Sequence, residues 1–136
     1  MPAQALLKTL LLTSPSFVEG SVTEGDIRVL DSGLTNMCVL YPGSIPAYDT
    51  AGMTREHEWD CLADIYTRFL NDTAYSTLGT LRDELILLLD ATKFLSVTYY
   101  IAGIISDGDL MDVKDKQGGG PYFVTQRLRV TIVEEV

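Results

Sequence analysis

Residues Thr54 to Phe69 read Thr-Arg-Glu-His-Glu-Trp-Asp-Cys-Leu-Ala-Asp-Ile-Tyr-Thr-Arg-Phe. Trp59, Cys61, Ala63, Ile65 and Phe69 fall on odd positions, while Glu56, Glu58, Asp60, Asp64 and Arg68 fall on even ones. Successive side chains of an extended chain point to opposite faces, so this alternation predicts a half-buried β-strand with one apolar face and one mostly acidic face. At about 3.3 Å per residue the strand spans about 50 Å, far beyond the usual length of about five or six residues. It is expected to project past the core it helps to build.

Working outward, Asn71-Asp72-Thr73 supplies side-chain oxygens for the free N–H groups of a helix start and predicts a helix over about 72–93. Its apolar stripe is Leu78, Leu81, Leu85, Leu88 and Thr92, widened by Ile86, Leu87 and Leu89. Gly79 weakens it by about 1 kcal/mol relative to alanine, less than burial of the leucines returns. On the other side of the long strand, Ile27–Leu30 and Met37–Tyr41 are strand-like runs spaced as a hairpin with a longer loop. Tyr41-Pro42-Gly43-Ser44-Ile45-Pro46 closes the second run, and residues 44–53 lead into the long strand.

Ala3, Leu6, Leu7, Leu10 and Leu11 follow helical spacing, so residues 2–12 form a short amphipathic helix. Ser96–Ile105, rich in β-branched and aromatic residues, predicts a strand. Tyr122–Val133 predicts another, with Tyr122, Val124, Leu128, Val130 and Ile132 on one face and Arg127 and Arg129 on the other. Between them, Asp107–Gly120 reads as a polar loop ending in Gly118-Gly119-Gly120. The order is α-β-β-β-α-β-β, one α+β domain over residues 1–136. A largely antiparallel sheet is expected, with helices packed on one face and the two long strands in its middle.

Charge narrows the function classes. Nineteen acids against ten Lys and Arg give a net charge of −9, which repels a phosphate backbone and argues against tight nucleic-acid binding. It leaves room for a protein that DNA merely passes. Cys38 and Cys61, without close spacing, read as buried thiols of a reducing compartment, with a disulfide as the alternative. Lys8 interrupts the N-terminal leucines and no basic segment precedes them, so neither a signal peptide nor a membrane span is expected.

Catalytic and metal-binding patterns fail on spacing. His57 is the only histidine, and four residues of strand hold it about 13 Å from Cys61. Ser44 lies in Pro-Gly-Ser-Ile-Pro rather than in a nucleophile elbow. Asp107-Gly108-Asp109 with Asp112 and Asp115 suggests a calcium loop, yet Met111 and Asp112 occupy places that need an oxygen ligand and a glycine. Gly118-Gly119-Gly120 lacks the Lys-Ser/Thr of a phosphate loop. No enzyme, metal or cofactor is expected. Trp59, Phe69, Phe94 and Phe123 read as packing residues, and Tyr99 and Tyr100 point to opposite faces. The outward acids Glu56, Glu58, Asp60 and Asp64 can pair with Arg127 and Arg129 if their strands are neighbours, within one subunit or across a boundary.

The segments Gly25–Leu30, 54–69, 72–93 and Gly119-Gly120-Pro121-Tyr122-Phe123 running into Arg127-Leu128-Arg129-Val130 carry a resemblance in element order, size and long final strand. The chain resembles the tail terminator proteins of long-tailed bacteriophages, over nearly its whole length and by architecture rather than by a residue motif. The resemblance implies a ring of six copies that caps the finished tail tube and stops tube-protein polymerisation. It further implies a second surface that receives the head-completion or connector protein, with DNA passing through the lumen ungripped. The location implied is the virion neck, after assembly in the host cytoplasm. Candidate contacts are the loop 42–53, the charged strand faces, and the loop carrying Asp107, Asp109, Asp112, Lys114, Asp115 and Lys116. A head-completion or stopper protein of the same neck and a small α+β ligand-binding domain are the alternatives.

Overall fold

The computed structural model describes residues 2–17, 21–24, 35–42, 56–69, 73–114 and 122–135. Helix α1 (Pro2–Leu11) opens the chain, followed by strands β1 (Val22–Glu24), β2 (Asn36–Pro42) and β3 (Glu56–Phe69). Helix α2 (Thr73–Thr92) and strands β4 (Tyr99–Lys114) and β5 (Tyr122–Glu135) complete it. The sheet order is β1-β2-β3-β5-β4, so the two long strands lie side by side inside the sheet as expected. β3 runs antiparallel to β5 in unbroken register from Glu56↔Glu135 to Phe69↔Tyr122.

Alternation decides which side of the sheet is covered. Cys61, Ala63 and Ile65 of β3 join Val124, Leu128, Val130 and Ile132 of β5 and Cys38 and Leu40 of β2 in one buried cluster. Leu7 and Leu11 of α1 and Ala74, Leu78, Leu81, Leu85 and Leu89 of α2 belong to the same cluster. Both helices therefore cover one face. The opposite face is not a plain solvent face, because Met37, Val39, Phe123 and Val133 are buried there too.

The described strand beside β2 on its outer side is β1, and the pair is parallel (Val22↔Cys38); the predicted hairpin strand Ile27–Leu30 lies outside the described residues. Three expectations are corrected. On α2 the stripe runs through Leu89 rather than Leu88, and Leu87 is 69% exposed, because the 3.6-residue period that buries Leu78, Leu81 and Leu85 carries Leu87 to the far side. Phe94 is 66% exposed rather than a packing residue. Most consequentially, Asp107–Lys114 is not loop. β4 continues to Lys114, because the partner strand β5 supplies a ladder that local composition did not predict.

α2 ends where Lys93 takes φ 56°, the left-handed conformation that stops a helix. The Lys93 carbonyl then accepts the Ile101 N–H at 2.6 Å, and Leu95 N–H donates to the Tyr99 carbonyl at 2.9 Å. The α2–β4 connection thus folds back over the first residues of β4. No helix among the described residues is long and apolar enough to cross a membrane.

Candidate interaction surface

The face away from the helices collects the charged residues singled out in the sequence. Asp64 and Arg127 are directly opposed on β3 and β5. Arg127 Nε donates to Asp64 Oδ1 at 2.7 Å and Nη2 to Oδ2 at 3.0 Å, a two-pronged contact that fixes both groups. Asp60, opposite Thr131, accepts from Thr131 Oγ1 at 3.1 Å and more loosely from Arg129 Nη1 at 3.4 Å. Cross-strand pairing between the acidic and basic strands is therefore intramolecular. Glu58 is exposed opposite Val133, and Glu56 stands in register with Glu135, so neither strand position meets a base directly.

Of the loop candidates, Asp107 lies in register with Arg127, Asp112 with Val124 and Lys114 with Tyr122. Asp109 falls in the irregular stretch between Asp107 and Met111. Asp115 and Lys116, like most of the loop 42–53, lie outside the described residues. Arg127 consequently has an acid opposite it on both neighbouring strands, Asp64 and Asp107. Nearby, Tyr66 has its phenol pushed up to about 12, first by burial and then by the charge of Asp64.

Three polar arrangements escaped the sequence reading. Glu84 on α2 accepts the Ser14 hydroxyl at 2.6 Å and the Ser16 hydroxyl at 2.7 Å, tying the segment after α1 to the second helix. Arg82 Nη1 donates to Gln126 Oε1 at 3.1 Å and Gln126 Nε2 to Ser106 Oγ at 2.9 Å, linking α2, β5 and β4. Beside Glu84 lies a cleft of about 260 Å³ lined by Ser16, Asn36, Thr73, Ser76, Thr77 and Thr80 among others. Its volume falls under the usual range for ligand pockets of about 300–1,000 Å³, and hydroxyl-bearing residues make up most of its lining. The helical spacing of Thr73, Ser76, Thr77 and Thr80 on α2 is the one local signal that could have marked the cleft.

Cys38 and Cys61 are free and buried. Cys38 stands opposite Ile65 and Cys61 opposite Pro42, an offset of about 13 Å along the ladder that no disulfide spans. Burial pushes the Cys61 thiol up to about 12 and that of Cys38 further still, so both stay protonated and inert. Among the described residues no group of three His, Cys, Asp or Glu side chains is placed to hold a metal ion.

No family model matches the chain, and no curated protein matches it. A solved structure whose description names no activity is similar over 98% of this chain and 90% of that chain, at 11% identity and a TM-score of 0.41. A likeness of that size carries no argument about function.

Proposed function

We propose that this chain is a ring-forming structural subunit of the tail-terminator kind, which caps the tail tube of a long-tailed bacteriophage and presents the surface that receives the head connector. The observation that carries the reading is the pairing of two long central strands along their whole length, within a sheet whose last described strand, β4, has β5 on one side and no described strand on the other. A stiff wall with an open rim suits a part that works by contact. The candidate charges support it as well: Asp64 and Asp60 pair with Arg127 and Arg129 across the wall instead of converging on a cavity, which stiffens the sheet. A net charge of −9 suits a lumen that DNA slides past, since like charge keeps phosphates from adhering. The partners in this reading are sister copies in a six-membered ring, the tube protein and a head-completion protein, without cofactor or membrane.

Purified protein added to polymerising tube protein tests the reading by electron microscopy. Tubes that stop growing and carry a ring at one end are expected. Tubes of unchanged length overturn it, and binding to filled heads rather than to tubes transfers the protein to the stopper role.

A further inference from the structure

Among the described strands β4 is the last of the sheet, with only β5 beside it. Over Tyr99–Ile101 its outer side is occupied by Lys93–Ser96 folding back, but over Ala102–Ser106 no described residue pairs with it. A strand side left this way presents a row of backbone donors and acceptors, a template for another extended segment. Proteins usually guard such an edge with lysine, proline, inward charge or a bulge. Here Ser96–Ser106 contains neither proline nor any charged residue, and its one irregularity falls at Ala102, leaving Gly103–Ser106 in regular register with β5. Ala102, Gly103, Ile105 and Ser106 are exposed, and Val97 (95%) and Phe94 (66%) stand exposed on the segment that caps the start of β4.

The missing charge indicates the occupant. Each copy carries −9, so two copies repel wherever acids meet, and a basic partner would be drawn to the acids rather than to this edge. An uncharged edge on an acidic chain suits a partner of the same charge. We infer that the outer side of β4 over Ala102–Ser106 is where a second copy of this chain adds an extended segment, strand edge to strand. The inference rests on the ring reading, of which it names a joining element.

Gly103→Lys is a clean probe, because a Cβ built there meets nothing within 4 Å, so the folded chain accommodates the side chain, while a lysine on an edge strand opposes addition of another strand. The added positive charge also lowers the net repulsion between copies, so lost association cannot come from that source. Light scattering across a concentration series is expected to show multimers for the wild type and for Ala5→Lys on exposed α1, and a 15.0 kDa species for Gly103→Lys and Ile105→Lys with unchanged circular dichroism. Amide exchange at Gly103–Ser106 is expected to slow at least about tenfold in the multimer. A wild type that stays single at every concentration, or a Gly103→Lys protein that associates like the wild type, overturns the inference. The ring reading fails separately: wild-type protein that joins through this edge yet leaves tubes growing removes tube capping and leaves the edge standing.

Discussion

Arg127 holds Asp64 with two parallel hydrogen bonds, 2.7 and 3.0 Å long, from a position directly opposite it in the β3–β5 ladder. Arg129 reaches Asp60 only diagonally and at 3.4 Å, since the residue opposite Asp60 is Thr131. The two pairs share a face and differ in geometry. A double-mutant cycle with Asp64→Asn and Arg127→Gln is expected to give a coupling of about 1 kcal/mol, and one with Asp60→Asn and Arg129→Gln about 0.3 kcal/mol, read from urea unfolding. Equal couplings would mean that the two-pronged geometry confers nothing.

Leu85 is fully buried and Leu87 is 69% exposed, two residues apart on α2. Leu85→Ala is expected to cost about 2–5 kcal/mol, and Leu87→Ala to change stability by less than about 0.5 kcal/mol. Guanidinium unfolding of both variants checks the helix orientation.

Removing the Glu84 carboxylate leaves the hydroxyls of Ser14 and Ser16 without their acceptor. Glu84→Ala is expected to lose about 1–3 kcal/mol. Faster amide exchange in the segment just after α1 would locate the loss there.

Lys93 sits at φ 56° without being glycine. Lys93→Gly is expected to raise stability by about 0.5–1 kcal/mol, because glycine adopts that conformation without crowding its own Cβ. Thermal unfolding reads the gain directly.

The buried thiols set an alkaline limit. Their ordinary pKa of 9.0 applies in the unfolded chain, while burial raises Cys61 to about 12 and Cys38 further in the fold. Below pH 9 both states hold the protons and stability is unaffected. Above it the unfolded chain releases protons that the fold retains, so stability falls by up to about 1.4 kcal/mol per pH unit for each thiol until its folded value is reached. Cys38→Ala should flatten the decline between pH 9 and 11. In the native protein at pH 8 neither thiol should react with a disulfide reagent until the chain unfolds.

β3, β5 and α2 were legible because each is long enough for its period to show: Trp59, Cys61, Ala63 and Ile65 mark every second residue, and Leu78, Leu81 and Leu85 every third or fourth. β1 was not, since Val22-Thr23-Glu24 is too short to display alternation. The second half of β4 was hidden by Asp107-Gly108-Asp109, which has the composition of a turn and opens a register irregularity; the ladder with β5 resumes only at Met111. Matching faces made Asp64 and Arg127 candidates to pair, but their register is a property of the whole ladder and could not be read from either strand. Ser14, Ser16 and Glu84 meet only because α1 and α2 lie on the same face, a tertiary fact with no local signal.

The strand order has a consequence for how the molecule is made. β5 is threaded between β3 and β4, both of which precede it in the chain, and Glu56 waits for Glu135. Until the ribosome has released β5, two strands that belong to one sheet have no seam to join them. Contacts so distant in sequence are slow to find, and a nascent chain halted before Tyr122 would leave two raw edges in place of a finished wall.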